Sequence, residues 1–597
     1  MAVLLGHSTI AHTGLGDLRG TTEVGVGVWR GVPYAEQPVG ERRFLAPAPL
    51  QPWTGVRDAL EHGPLPPQGK SFVGGGRDDP KVRDEACLTL TVWSPDTSGS
   101  LPVMVWIPGG AFVYGAGQFQ LYNGSRLAAN GNVVVVNVTY RIGVFGGFEL
   151  GDLGDGFDDN LALRDQMAAL RWIQSNIAAF GGDPDRVTVF GESAGATSVL
   201  ALLASPAAGG LFSRAIAQSP ALPLIAGREV RARQAHEFLK RLGVSAAEVK
   251  GLPQRQLRRA AGLLQLKSAA STPTLAYGLT YGVDLLPNHP VDAARAGAVA
   301  RVPLIIGTNS HEASMFAWTK PPMLPTTTAS IDAYLDRVAP DGERVAQCGE
   351  RVAPDGERVA QCGERVAQCG ASDGASDKER LLAAYPDYPR RRALVAFGSD
   401  VMFGGPAWAF ADAYSAHAPT HMYRFDHFGW SLRLLGLGAT HGSEIVHIQH
   451  SYASFIGRKL HPLGRRLQPP VGRRMQRAWL DFAAKGWDTA NERLREDQRV
   501  DERVREDQSA GEGLREDQRV DERVREDRRA GERLREDRRA DERLREDRRA
   551  GEIHWSSGHD WPSYDIEHRF TRIIQSARDK VVEDPDAERR RAWARLY

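Results

Sequence analysis

At 597 residues and 42% hydrophobic content, the chain is long enough and apolar enough to bury a large core. Its 75 Lys plus Arg nearly balance 74 Asp plus Glu, which excludes a general electrostatic attraction to nucleic acid or to an anionic membrane surface. No run approaches the roughly 18 to 20 apolar residues of a membrane span.

In chain order, residues 1–8 lack the basic start and apolar core of a signal peptide. Val103 to Ile107 is a continuous apolar run, the pattern of a strand covered on both faces. It enters Pro108-Gly109-Gly110-Ala111-Phe112, where glycines allow backbone N–H groups to approach a substrate oxygen. Val187-Thr188-Val189-Phe190 is a second such strand, followed at once by Gly191-Glu192-Ser193-Ala194-Gly195 and by a helical stretch from Ala196 to Leu203. A G-x-S-x-G at a sharp strand-to-helix turn holds a serine hydroxyl exposed beside a base, so Ser193 is the candidate nucleophile. Val302 to Gly307 is a third buried strand, leading to Thr308-Asn309-Ser310-His311-Glu312. His421 to Phe425 is a fourth, preceding Gly438-Ala439-Thr440-His441-Gly442-Ser443-Glu444. Serine, acid and histidine thus appear in the chain order of an α/β-hydrolase. In that order His441 accepts the serine proton, and Glu312 holds its imidazole in the correct tautomer.

Two stretches interrupt this pattern. Residues 337–350 recur unchanged at 351–364, with a partial third copy to 370 and a short tail to 377. Cys348, Cys362 and Cys369 are copies of one residue, with no interleaved His, and read neither as a disulfide framework nor as a metal site. Residues 491–552 repeat every ten residues, with 19 Arg against 22 Asp plus Glu. That period offers no shared apolar face and no coiled-coil seam, so a solvated surface insert is expected. It lies between a predicted helix over 475–485 and a terminal segment containing Trp555, Trp561 and Tyr564. His447 and His450 are three apart and could share a helix face; with no third ligand nearby in sequence, a structural role is expected. Glu444 reads as a supporting residue for His441.

The chain also resembles the type-B carboxylesterases, the cholinesterase-like esterases of the α/β-hydrolase fold. The likeness lies in Arg30-Gly31-Val32-Pro33-Tyr34-Ala35, Asp84-Glu85-Ala86-Cys87-Leu88, Asn137 to Gly143, Asn160 to Gln166, and Phe180-Gly181-Gly182-Asp183-Pro184 running into the serine turn. It covers nearly the whole chain apart from the two inserts. The fold it implies is α/β: a mostly parallel central sheet with helices on both faces, in one domain over 1–597. The resemblance implies Ser193, Glu312 and His441 as triad and the backbone N–H groups of Gly110, Ala111 and Ala194 as oxyanion donors. It implies a small-molecule ester substrate and no cofactor or metal.

There are departures from the family pattern. Pro108 stands where the family has His or another aromatic, which is expected to alter loop stiffness and not the donors. Pro66 stands where the partner of Cys87 would be, so that disulfide is not expected. Between Pro66 and Glu85 the only aromatic is Phe72, so a preference for choline esters is unsupported. Ser219 matches a family position near the triad, but Pro220 replaces the usual glycine. With no signal segment and no disulfide, a cytoplasmic location is expected. A non-catalytic binding protein on the same fold, a scaffold built on the charged repeats, and a hydrolase of amides, carbamates or lactones stay open as alternatives.

Overall fold

The computed structural model describes residues 9–69, 82–154, 156–271, 276–319, 324–338, 377–462, 470–486, 553–554, 561–575, 579–594 and 596. Of the first repeat insert, only Arg337, Val338 and Asp377 fall within these; the second, 491–552, lies outside them. So do Cys348, Cys362, Cys369, Phe72 and Trp555.

Valine-, isoleucine- and alanine-rich runs supply the centre of one large sheet. Its strands are β1 (Thr9–Thr13), β2 (Gly16–Glu23), β3 (Val26–Pro33), β4 (Val56–Asp58), β5 (Thr89–Ser94), β6 (Leu101–Ile107), β7 (Val134–Thr139), β8 (Gly182–Glu192) and β9 (Arg214–Gln218). After the β10–β11 pair (Ile225–Gly227 and Leu279–Tyr281) come β12 (Leu304–Asn309), β13 (Thr420–Phe425), β14 (Ile553–His554), β15 (Phe570–Ile574) and β16 (Lys580–Glu583). The spatial order is β1-β2-β3-β5-β7-β6-β8-β9-β12-β13-β15-β16-β14, with β4 beside β2. From β7 through β15 every pairing is parallel, and the flanks are antiparallel apart from the parallel pair β2 and β4. Parallel strands need both faces covered, and β7, β9 after Arg214, and β12 are buried along their length. One face packs on the helices Leu161–Asn176 and Ala194–Ala204; the other packs on Pro470–Lys485 through Trp479 and Phe482.

The register matters for function. Ile107 pairs with Gly191, Gly191 with Ala217, Ala217 with Ile306, and Ile306 with Met422. This rung crosses five parallel strands near their C-terminal ends. Within a few residues beyond it, the chain leaves the sheet through Pro108-Gly109-Gly110, Glu192-Ser193, Gln218-Ser219, Asn309 to Glu312, and Asp426.

Two sequence expectations are refined. The continuous helix from Arg391 to Tyr414 has the length and apolar content to cross a membrane, although no unbroken apolar run of that length stands in its sequence. Its apolar window is 83% buried inside the protein, where Phe397, Phe403, Phe410 and Tyr414 pack in the core. Cys87 is a buried free thiol, in line with the missing partner at Pro66.

Candidate active site

The serine turn is built by close contact. β8 ends at Glu192 and the helix starts at Ala194, so Ser193 alone makes the turn, with φ 59° and ψ −123°. That conformation is costly for any residue with a Cβ and persists because neighbours hold it. The Ser193 amide donates to the Gln218 carbonyl at 2.9 Å, and its carbonyl accepts from the Thr197 amide at 2.8 Å and from Thr197 Oγ1 at 3.1 Å. A Cβ on Gly191 would meet the backbone of Gly195 at 2.7 Å, and one on Gly195 would fall on the Ile107 carbonyl. Both glycines of the motif are therefore required by the turn itself.

The Gly109-Gly110-Ala111 loop lies against this turn. A Cβ on Gly109 would come within 3.0 Å of Ser193 Cβ. Gly110, Ala111 and Phe112 have φ of 120°, 54° and 57°. The Gly110 carbonyl accepts from the amides of Val113 (3.0 Å) and Tyr114 (2.9 Å), which curls the loop back. Gln68 bridges its far end through Gly115, accepting from its amide at 3.1 Å and donating to its carbonyl at 3.0 Å. Tyr140 Oη donates to the Pro108 carbonyl at 2.6 Å. Among the described residues, the amides of Gly110, Ala111 and Ala194 donate to no protein acceptor.

Glu312 follows β12 and opens a short turn, Glu312–Ser314. Its Oε2 lies 2.7 Å from His441 Nδ1. Its Oε1 accepts from Ser219 Oγ at 2.5 Å and from the Asn309 amide at 2.7 Å. Ser219 thus sits where the family resemblance put it, with φ 51°, despite Pro220. The His441 loop is stitched to the Glu312 turn: the His311 amide donates to the Ala439 carbonyl at 3.0 Å, and Ser314 Oγ to the Leu437 carbonyl at 2.6 Å. Phe403 and Phe316 pack on the imidazole with ring centres 4.4 and 5.4 Å away.

One contact joins residues that no sequence motif relates. His441 Nε2 lies 3.1 Å from Glu192 Oε1. Among the described residues, no hydrogen bond joins Nε2 to Ser193. Catalytic hydrogen bonds of this kind often tighten only once substrate is bound. Glu192 is the first of the two variable residues of the G-x-S-x-G, so its place beside Ser193 is visible in the sequence, but its partner is not.

The site is electrostatically tense. Burial opposes the charged ring of His441, but the carboxylates of Glu192 and Glu312 outweigh it and raise its pKa to about 9. Burial is also the main cause raising Glu192 to about 8, against the pull of His441. These two shifts describe one proton contested across 3.1 Å. Glu444 is wholly buried and raised by that burial to about 6. It accepts from Asn309 Nδ2 at 2.5 Å and from Gln218 Nε2 at 3.2 Å, and Gln218 Oε1 in turn accepts from Trp479 Nε1 at 3.2 Å. Glu444 therefore reaches the cluster through Asn309, whose amide is on Glu312.

The helix Ile445–Ile448 carries His447 and ends before His450, so the two do not share a helix face. His447 instead faces His427 and His461, while the His450 ring lies 5.7 Å from that of Tyr452.

The chain matches the carboxylesterase family across residues 7–510. It is 38% identical over 424 residues to the para-nitrobenzyl esterase of Bacillus subtilis (strain 168), covering 70% of this chain and 78% of that protein. Over a shorter stretch of 216 residues, 35% of this chain and 43% of the other, it is 49% identical to a phenmedipham hydrolase of Pseudarthrobacter oxydans. A solved PNB esterase superposes with a TM-score of 0.70 at 30% identity, covering 98% of this chain and 99% of that one. The Geobacillus stearothermophilus carboxylesterase Est55 superposes with a TM-score of 0.69 at 30% identity, covering 98% and 100%. With the sheet order and strand-end geometry described above, these likenesses mean that the chain belongs to the carboxylesterase family, has the α/β-hydrolase fold, and is a carboxylic ester hydrolase.

Proposed function

We propose that the ester is cleaved by Ser193, His441 and Glu312 through an acyl-enzyme. Ser193 Oγ attacks the ester carbonyl carbon while His441 Nε2 takes its proton. The carbonyl oxygen becomes an oxyanion facing the amides of Gly110, Ala111 and Ala194. Collapse breaks the bond to the alcohol, which leaves with the proton from His441. Water then attacks the acyl-serine, giving its proton to His441, and the carboxylic acid departs as Ser193 recovers its hydrogen. Glu312 fixes the Nδ1–H tautomer and stabilises the imidazolium. The observation that carries this reading is the 2.7 Å contact of Glu312 with His441 beside a serine held at a positive φ. The three amides without a protein acceptor support the oxyanion assignment.

The relatives support a reading of the substrate class. One is named for a para-nitrobenzyl ester, and the Gly109-Gly110-Ala111 loop resembles those of esterases that accept bulky alcohols. Aryl and alkyl esters of short to medium acids are the proposed substrates. The test is hydrolysis of p-nitrophenyl esters from acetate to octanoate by the parent and by Ser193→Ala. Loss of roughly a thousandfold or more in turnover is expected for the variant. A folded Ser193→Ala protein with parental activity sinks the assignment.

A further inference from the structure

Three histidines that stand 14 to 34 residues apart in sequence converge outside the serine, histidine and glutamate cluster. His427 follows the end of β13, His447 sits on the short helix Ile445–Ile448, and His461 caps the helix Phe455–Leu460. One ring nitrogen from each lies within 4.8 Å of the other two. The ring centres are 5.0 Å apart for His427 and His447, 4.5 Å for His447 and His461, and 5.9 Å for His427 and His461. Two imidazoles on one tetrahedral ion, each with its nitrogen about 2.1 Å away, have ring centres about 5 Å apart. The spacing is that of a ligand set.

The polar accounting points the same way. His447 is wholly buried and His461 is 7% exposed, and Nε2 of each is buried without a hydrogen-bond partner. A buried nitrogen left in that state is unfavourable and calls for a ligand. His447 Nδ1 is 2.8 Å from Tyr452 Oη, which fixes the ring and directs Nε2 inward. Burial pushes His427 and His461 down to about 4 and His447 well below its ordinary value. The cation that bears on His427, Arg474, is itself paired with Asp579 at 3.0 Å.

We propose that His427, His447 and His461 bind a divalent transition-metal ion of the zinc class, with water as the fourth ligand on the half-buried His427 side. Imidazole nitrogens suit zinc, copper and nickel and not magnesium or calcium. Coordination draws the nitrogens to about 3.4 Å from one another, a small swing of each ring. The ion ties the end of β13 to two helices that follow the His441 loop. It takes no part in the ester chemistry; it braces the segment that carries His441. His450, on the same stretch as His447, is outside the group and serves as the internal control.

The experiment uses the full-length enzyme stripped with a chelator, titrated with zinc chloride by calorimetry and by thermal unfolding. Saturable binding of one zinc per chain is expected, with a melting temperature that rises with zinc concentration. Binding should be kept in His450→Phe and weakened about a hundredfold or more in His447→Phe and His461→Phe, which each lose a ligand. Ester hydrolysis before zinc addition reports whether each variant is folded. If the buried substitutions prevent folding, His427→Gln, at the half-buried corner, replaces them with the same expected loss. Absence of saturable binding in the parent overturns the proposal. So does binding by a folded His427, His447 or His461 variant that equals the parent's.

Discussion

Replacing Glu192 by Gln keeps the side-chain shape and removes one of the two carboxylates on His441. At 3.1 Å, with an effective dielectric constant of about 20, the full attraction between imidazolium and carboxylate is about 5 kcal/mol. Part of this is already lost, because burial favours the uncharged form of both partners and raises Glu192 to about 8. A net change of about 1.4–2.8 kcal/mol remains, which is about one to two pH units. The sign is fixed by the geometry. His441 is raised to about 9 by Glu192 and Glu312 acting against burial, so removing Glu192 lets burial pull it down. The base form of His441 is the neutral ring, which prevails above its pKa. The acidic limb of kcat/KM against pH must therefore move to lower pH in Glu192→Gln. The plateau rate should fall by about tenfold, because the imidazolium formed in the transition state loses a stabilising charge. The assay is p-nitrophenyl acetate hydrolysis from about pH 5 to about pH 10, corrected for spontaneous hydrolysis. A limb that stays in place, or moves to higher pH, refutes the view that Glu192 sets the proton affinity of His441.

Two further substitutions probe the groups around it. In Gly110→Ala the new methyl would collide with the Tyr114 carbonyl at a residue whose φ is 120°, so the loop must shift. A fall in kcat of about a hundredfold to a thousandfold is expected, with KM for p-nitrophenyl acetate changing much less. Ser219→Ala removes one of the two donors on Glu312 Oε1 and leaves the Asn309 amide. A hydrogen bond to a charged group is worth about 1.5–3 kcal/mol, so kcat/KM should drop by about tenfold to a hundredfold. Steady-state kinetics with circular dichroism as a folding control decide both. Unchanged rates in folded Ser219→Ala protein would show that the Asn309 amide alone holds Glu312.

What was legible in the sequence was local. Val187 to Phe190 running into Gly191-Glu192-Ser193 announces a strand and a turn because hydrophobic continuity and glycine placement are short-range signals. The same holds for β6, β12 and β13, each found within a few residues of its predicted span. What was not legible depends on side chains meeting across the fold. Glu192 touches His441, 249 positions away, only because β8 and the His441 loop end on the same side of the sheet. Asn309 looks like an ordinary loop residue, yet its amide and side chain join Glu312 to Glu444. The histidine group was hidden for a related reason. Its members come from three segments, and the one regular spacing in sequence, His447 to His450, joins a member to a non-member.

The closing segment bears on how the charged repeat relates to the domain. The family match ends at residue 510, inside the ten-residue repeats, which on its face suggests that the domain stops there. The sheet argues otherwise. β13, the strand leading toward His441, pairs in parallel with β15, which begins at Phe570, and β15 pairs with β16. Without residues 570–583 the buried strand that precedes His441 would become an exposed edge. The segment is also anchored by side chains. Tyr564 donates to Asp412 at 2.7 Å, Arg589 pairs with Asp400 at 3.0 Å, and Trp593 donates to Tyr385 at 2.8 Å. Asp400 and Asp412 both lie on the helix that carries Phe403 onto the His441 ring. The chain after the repeats therefore completes the sheet and braces a wall of the site. Chain on both sides of the repeats, β13 before them and β15 after them, thus contributes to one sheet.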